Sequence, residues 1–179
     1  MVKKPDGSVR TCCDYRKLNK ITLFDPEPMP AADDIFAMLN GCQYFSKFDL
    51  AKGYWQVPMR EEDKVYTTFT THRGLFQFKV MPFGLINAPA TFSRIMRKLL
   101  DKSECLFNYL DDVLAPTATW QLHMSVLRDF FERVRKGCLA IRPSKCSVGY
   151  SSLKFLGHQI SADGLRPAKD TVDKLLRAP

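Results

Sequence analysis

Three carboxylates carry the strongest chemical signal in this 179-residue chain. Asp49 closes the run Tyr44-Phe45-Ser46-Lys47-Phe48-Asp49, and Asp111-Asp112 follow 62 positions later (111 minus 49), inside Phe107-Asn108-Tyr109-Leu110-Asp111-Asp112-Val113-Leu114. Each acid adjoins apolar residues of strand character, where an ionised carboxylate is costly without a partner. Two neighbouring acids at a hairpin tip repel, and a bound divalent cation offsets that repulsion. Magnesium prefers hard oxygen ligands, takes one or two carboxylates, and completes its shell with water and substrate phosphates. Two such ions, about 3.5 to 4 Å apart, can clamp the attacking and leaving oxygens of an in-line displacement. Phosphoryl transfer of that kind leans on charge and positioning more than on a nucleophilic side chain. An Asp-Asp pair in an arbitrary protein most often only caps a surface turn; here the flanking apolar strands and the matching distant acid favour a site.

Composition agrees with a folded domain that meets a polyanion. Hydrophobic residues make up 45% of the chain, enough for a real core in one domain of this length. Twenty-seven Lys and Arg against 19 Asp and Glu give a formal charge of +8 and a pI near 9.2, a balance that favours nucleic acid although many unrelated basic domains share it. The six cysteines, at 12, 13, 42, 105, 138 and 146, never fall in a C-x-x-C spacing, so no zinc site follows. Adjacent Cys12 and Cys13 would point to opposite faces of a strand. No signal peptide and no apolar run of membrane-spanning length stands out, so a reduced intracellular setting and no membrane partner are expected.

The elements that must hold the acids can be read from pattern. Val2 to Val9 and Thr11 to Tyr15 are expected as two strands around the Pro5-Asp6-Gly7 turn, which carries a basic tip. A Pro-rich connector, Leu23 to Pro30, leads to a helix over 31–39, and a strand over 44–50 ends in Asp49. Val65 to Thr70 and Phe76 to Met81 are expected as strands joined through Gly74, followed by a helix from Ala88 to Leu100. Cys105 to Leu110 and Val113 to Ala115 would flank the Asp111-Asp112 turn. Trp120 to Gly137 is expected as a helix with Leu122, Val126, Phe130 and Val134 as its apolar stripe, then strands near 139–142 and 154–160 and a terminal helix over 168–177. No internal repeat is present. The order implies an α+β fold, an antiparallel sheet with helices on one face.

With those residues in view, the chain resembles the polymerase domain of reverse transcriptases, particularly the gypsy-like class of long-terminal-repeat retrotransposons and the related retroviral Pol polyproteins. Phe48-Asp49-Leu50-Ala51-Lys52-Gly53-Tyr54-Trp55-Gln56 is similar to the family's first catalytic motif, and Tyr109-Leu110-Asp111-Asp112 to its Tyr-x-Asp-Asp box. Between them, Met81-Pro82-Phe83-Gly84-Leu85-Ile86-Asn87-Ala88-Pro89-Ala90-Thr91-Phe92 matches a third motif almost letter for letter. Residues 2–10 and Asp14-Tyr15-Arg16-Lys17-Leu18-Asn19 resemble the fingers hairpin, while Arg142-Pro143-Ser144-Lys145-Cys146 and Phe155-Leu156-Gly157-His158-Gln159-Ile160-Ser161 resemble the last palm segments. These matches, in order, cover nearly the whole chain.

The resemblance implies a right-hand palm with part of the fingers: fingers elements over about 1–43 and 60–85, palm over about 44–59 and 86–165, and the start of a connection to a thumb over 166–179. It implies RNA-directed DNA polymerase activity with two Mg2+ ions, Mn2+ being able to substitute, held by Asp49, Asp111, Asp112 and the Leu50 carbonyl. Lys4 and Arg10 would reach the triphosphate or else form a solvated basic turn. Tyr54 would either lie under the sugar and exclude a 2′-hydroxyl or simply pack in the core. Phe83 and Gly84 would line the nucleotide pocket, with glycine allowing close backbone approach. Lys145 would donate a proton to pyrophosphate, contact a phosphate, or be an ordinary surface lysine. Tyr109, Pro89, Phe155, Leu156, Gly157 and His158 would bind the primer and template.

Implied partners are an RNA or DNA template with primer, deoxynucleoside triphosphates, and the remainder of a Pol polyprotein, namely thumb, ribonuclease H and integrase. An intracellular setting is implied, cytoplasmic or within a virus-like particle, with the nucleus a further option. The chain is expected to be a fragment. One departure is Ala115-Pro116-Thr117 after the Asp-Asp box, where Pro116 removes a backbone donor and predicts a short or frayed return strand. The rival readings are a domesticated remnant that only binds nucleic acid, a non-catalytic palm subunit and, disfavoured by Tyr54, a polymerase that makes RNA.

Overall fold

The computed structural model describes residues 2–3, 7, 9–10, 12–28 and 31–168. In chain order its elements begin with β1 (Val2–Lys3), β2 (Val9–Arg10), α1 (Arg16–Ile21), α2 (Ala32–Ala37), β3 (Tyr44–Asp49), β4 (Phe69–Thr71), β5 (Gly74–Phe76) and α3 (Ala88–Leu99). They continue with β6 (Phe107–Tyr109), β7 (Asp112–Thr117), α4 (Trp120–Lys136), β8 (Ser147–Tyr150), β9 (Ser152–Phe155), β10 (His158–Ser161) and β11 (Gly164–Pro167). Short 3-10 turns occupy Gly53–Gln56, Glu61–Thr67 and Pro143–Lys145. The chain divides into two compact units, Met1–Pro28 with Lys52–Arg94, and Met29–Ala51 with Ile95–Pro179. No helix among the described residues is long and apolar enough to cross a membrane.

The second unit is built on a four-stranded antiparallel sheet in the order β6-β7-β3-β8. Successive side chains of a strand point to opposite faces, so β3 serves two layers. Phe45 joins Leu114 of β7 and Ile35, Leu153, Phe155 and Ile160 in a buried cluster under the three-stranded sheet β11-β10-β9. Ser46 and Phe48 face α4, where Phe48 stacks on Phe130 with ring centroids 4.3 Å apart. Helix α4 starts at a threonine N-cap, since Thr119 Oγ1 accepts from the Leu122 N–H at 3.3 Å, and it stops at Gly137. Its Arg133 donates to the carbonyls of Leu99 and Asp101 at 3.0 and 2.8 Å, satisfying the C-terminal end of α3.

The first unit is held by polar brackets. The Asn19 amide donates to the Gly84 carbonyl at 2.8 Å and accepts from the Ile86 N–H at 2.9 Å. Asn87 donates to the Leu23 carbonyl at 2.7 Å and accepts from the Asp25 N–H at 3.1 Å. Arg94 closes the set with Asp25 at 2.7 Å and Glu27 at 3.1 Å.

Several elements differ from the sequence expectations, each for a local reason. Among the described residues Val2–Lys3 pairs with Val9–Arg10, and Cys12 to Tyr15 is irregular, so Cys12 and Cys13 do not alternate across a strand; Lys4, Pro5, Asp6, Ser8 and Thr11 lie outside the described residues. Val65 to Thr67 is a 3-10 turn because the Thr67 and Thr68 hydroxyls donate to the Lys64 and Val65 carbonyls at 2.7 and 2.6 Å. The partner strand is Gly74–Phe76 instead of 76–81. The buried stripe of α4 is His123, Leu127, Phe130 and Val134, with Leu122 exposed, because a strict spacing of four drifts about 40° per step around a 3.6-residue helix. Residues 139–142 contribute only an Ile141 bridge to Leu50, and 154–160 turns at Leu156-Gly157 into two strands. The expected terminal helix lies, after Ala168, outside the described residues.

Strand β7 runs through Pro116 to Thr117, against the expected fraying. The Leu50 N–H bonds to the Asp111 carbonyl, so stepping by two makes 48/113 and 46/115 the hydrogen-bonded pairs and leaves Phe45/Pro116 a non-hydrogen-bonded one. The missing donor of Pro116 therefore faces the β6 side, where pairing has already ended at Phe107/Leu114.

Candidate active site

The acids meet where β3 ends and β7 begins. Asp49 and Asp112 are register partners, and Asp112 also pairs with Tyr109 across the β6–β7 hairpin. That hairpin turns on Leu110 and Asp111, with Leu110 at φ +54°, a left-handed position that hairpins usually give to glycine. A leucine held there stores strain on the order of 1 kcal/mol, as functional sites often do. Asp111 is exposed at the tip while its carbonyl anchors Leu50. The structure thus brings Asp49 and Asp112 together in register, with Asp111 exposed at the tip and its charge acting on Asp112. Among the described residues no group of three or more His, Cys, Asp or Glu side chains forms a metal-holding cluster.

Three cations surround the pair. Lys47 Nζ lies 3.2 Å from Asp112 Oδ2, Lys145 Nζ 3.6 Å from Asp49 Oδ2, and Arg142 Nε 4.0 Å from Asp49 Oδ1. Burial holds the Asp112 carboxyl above the usual aspartate range; Lys47 pulls the other way, and the neighbouring Asp111 and Asp49 charges add to the rise. Two carboxylates whose mutual repulsion already draws in cations suit a divalent ion that takes one or two protein carboxylates and leaves positions for water and phosphate. The residues present therefore fit magnesium.

Lys47 and Arg142 were not singled out from the sequence. The signal for Lys47 was its place two residues before Asp49, which puts both on one strand face. Arg142 is fixed by the N–H it donates to the Asp49 carbonyl at 2.9 Å, and Lys145 follows one 3-10 turn later.

The remaining expected residues are distributed as follows. Lys4 lies outside the described residues, and of Arg10 only the backbone, in β2, is described. In the first unit the Tyr54 ring sits 5.2 Å from Phe83 and 5.6 Å from the buried Phe92. Gly84 adopts φ +98° and is exposed, and Pro89 occupies the first turn of α3, where its missing N–H costs nothing. In the second unit Tyr109 packs against the core, and Phe155 is fully buried there. The β9–β10 hairpin turns on Leu156 and Gly157, both left-handed at φ +48° and +79°. His158 Nδ1 donates to the Leu156 carbonyl at 3.1 Å, and its ring meets Phe36 edge-on at 5.0 Å. Surface contact at that hairpin falls to Leu156, Gly157 and His158, because Phe155 points into the core.

The comparisons bear on the whole assembly. The sequence model for "Reverse transcriptase (RNA-dependent DNA polymerase)" matches residues 2–160. The retrovirus-related Pol polyprotein from transposon 297 of Drosophila melanogaster is 40% identical over 185 residues, covering 99% of this chain and 17% of that protein. The Tf2-3 transposon polyprotein of Schizosaccharomyces pombe is 31% identical over 178 residues, covering 98% of this chain and 13% of that protein. The chain therefore spans under a fifth of the length of these curated relatives. Among solved structures, the foamy viral protease-reverse transcriptase dRH in complex with double-stranded DNA superposes with a TM-score of 0.94 at 26% identity, over 99% of this chain and 31% of that one. The foamy viral protease-reverse transcriptase in complex with an RNA/DNA hybrid gives 0.90 at 26% identity, over 99% and 24%. A paired-acid hairpin on an antiparallel sheet, matched from end to end by these proteins, has one origin: the chain belongs to the reverse transcriptase (RNA-dependent DNA polymerase) family.

Proposed function

We propose that the chain is the catalytic core of a retrotransposon Pol polyprotein, an RNA-directed DNA polymerase that adds deoxynucleotides to a primer 3′-hydroxyl on an RNA or DNA template. The observation that carries this reading is the pairing of Asp49 with Asp112 across two hydrogen-bonded strands, ringed by Lys47, Arg142 and Lys145. These two carboxylates, Asp111 at the tip and the Leu50 carbonyl would hold two Mg2+ ions, or Mn2+ in their place, which would supply charge to the attacking and leaving oxygens.

The chain's own groups then divide the work. Lys145, exposed and already at Asp49, would contact a phosphate oxygen or pass a proton to departing pyrophosphate. Lys4 and Arg10 would bind the triphosphate. Tyr54 and Phe83 offer adjacent ring faces in the first unit, suited to a sugar and to exclusion of a ribose 2′-hydroxyl, and Gly84 would let backbone approach the nucleotide. Tyr109, Pro89 and the Leu156–His158 turn would contact primer and template, with buried Phe155 anchoring that turn. Residues 1–43 and 60–85 would serve as fingers elements, and residues 44–59 and 86–165 as palm. The foamy viral likenesses, solved with double-stranded DNA and with an RNA/DNA hybrid, support duplex binding, and the relatives' polyprotein names support attachment to further Pol domains. Six free cysteines fit a reducing intracellular setting.

Primer extension by this chain in Mg2+, beside its Asp49→Asn and Asp112→Asn variants, tests the reading. Incorporation by the parent that both variants lose is expected. Equal signal from all three, or retained nucleic-acid binding with no incorporation by any, would instead mark a remnant that only binds.

A further inference from the structure

We propose that Lys47 is a built-in competitor for the divalent cation at Asp112, a tethered positive charge that sets how tightly the acid pair takes metal; this rests on the reading of Asp49 and Asp112 as metal-holding residues. Strand β3 is paired on both sides, to β7 and to β8, so the Lys47 backbone is fixed. Its register partner is Leu114, which places its side chain diagonal to Asp112 and on the face that carries Asp49. Only 24% of that side chain is exposed, and its ammonium lies 6.0 Å from the ring centroid of buried Phe155 while holding Asp112 Oδ2 at 3.2 Å. Walls of this kind keep the lysine at its carboxylate and distinguish it from a solvated surface residue.

The other two cations are held more loosely. Lys145 and Arg142 stand 3.6 and 4.0 Å from Asp49, beyond ordinary hydrogen-bond length, and the Lys145 side chain is 56% exposed. They can swing toward a phosphate at little cost, whereas Lys47 has no such freedom and one Asp112 oxygen stays committed to it. A divalent ion at Asp112 must displace the ammonium or bind next to it, through the shared oxygen or the other one, against its positive charge. The bare site is then charge-compensated without metal and takes the ion weakly, and a polyphosphate that brings its own negative charge restores the affinity.

Calorimetric titration of Mn2+ into this chain at low salt, compared with Lys47→Met and Lys47→Arg, decides the matter, with circular dichroism confirming that each variant folds. Removal of a unit charge this close is expected to tighten Mn2+ binding by about tenfold or more in Lys47→Met. Lys47→Arg keeps the charge and should bind as the parent does. Asp112→Asn supplies the control that locates the binding event at the acid pair. Should parent and Lys47→Met bind Mn2+ equally at an Asp112-dependent site, or should Lys47→Met bind more weakly, the competitor role is overturned while the metal site stands. Tightening in Lys47→Arg would overturn it as well, since charge would then not be the cause. Absence of Asp112-dependent binding in every protein would overturn both the inference and the metal-site reading beneath it.

Discussion

The two faces of β3 do opposite things with one strand. On the α4 face Ser46 and Phe48 are fully buried with Val113, Ala115 and Thr117, and the Ser46, Thr117 and His123 side chains bond to one another, while the buried Asn108 Nδ2 beside Val113 has no partner among the described residues. Ser46 Oγ accepts from the Gly149 N–H at 2.9 Å and meets His123 Nε2 at 2.7 Å, while Thr117 Oγ1 meets His123 Nδ1 at 2.7 Å. On the other face Lys47 and Asp49 share a surface with Asp112, partly exposed and held by ion pairs up to 4.0 Å long. Residues one apart in sequence thus divide between the packed core and the proposed chemistry, and the difference predicts where substitutions should hurt folding and where they should hurt catalysis.

The largest expected effect comes from the acid face. Asp49→Asn should lower primer extension on the order of 10³-fold or more, because cation-mediated charge stabilisation is worth several kcal/mol of the barrier. Its melting temperature should stay near that of the parent. A matching fall in both would mean that the two faces are not functionally separate. Next, Phe130→Ala on the helix face should cost about 3–5 kcal/mol in chemical denaturation, since a fully buried ring stacked on Phe48 is lost and a cavity remains. The activity that survives, measured well below the new midpoint, should be close to the parent's.

How far this division could be read in advance depended on which signals were local. Asp49, the Tyr109-Leu110-Asp111-Asp112 turn and helices α3 and α4 announced themselves through adjacent residues and caps. The phase of the α4 stripe did not, because Leu122 and His123 differ by a single 100° step and only the sheet decides which turns inward. Lys47 interrupted an apolar strand and carried no message until Asp112, 65 positions away (112 minus 47), was placed diagonal to it. Pro116 broke a strand rule whose force depends on which side of the strand has a neighbour, a property of the assembled sheet.

His123 sharpens the comparison through pH. Its burial lowers the ring's pKa below the ordinary 6.5, so the unfolded chain takes up a proton more readily than the folded one. The stability it lends is therefore fully present above 6.5 and is lost as pH falls through that value toward the folded one. Thermal melts across pH 7.5 to 5 should show this loss, and His123→Gln should flatten it while costing about 1–3 kcal/mol at pH 7.5 for the disturbed hydroxyl network. A parent curve that is flat in this range, with no change in the variant, would remove His123 as its source.

The smallest effect has the opposite sign. Burial holds the Asp112 pKa above the ordinary 3.8 in spite of Lys47, so ionisation is disfavoured in the folded chain. The stability associated with this group is present below the unfolded value and is lost as pH rises through the folded one, which leaves a deficit at neutral pH. Asp112→Asn cannot ionise and escapes that deficit. In divalent-free buffer its melting temperature should equal or slightly exceed the parent's at pH 7, and the gap should close as pH falls toward 4. A lower melting temperature for the variant at pH 7 would show instead that the Lys47–Asp112 pair stabilises the fold by more than burial of the carboxylate costs. The acid face would then resemble the helix face in purpose, and the contrast between them would fail at the residue where it should be clearest.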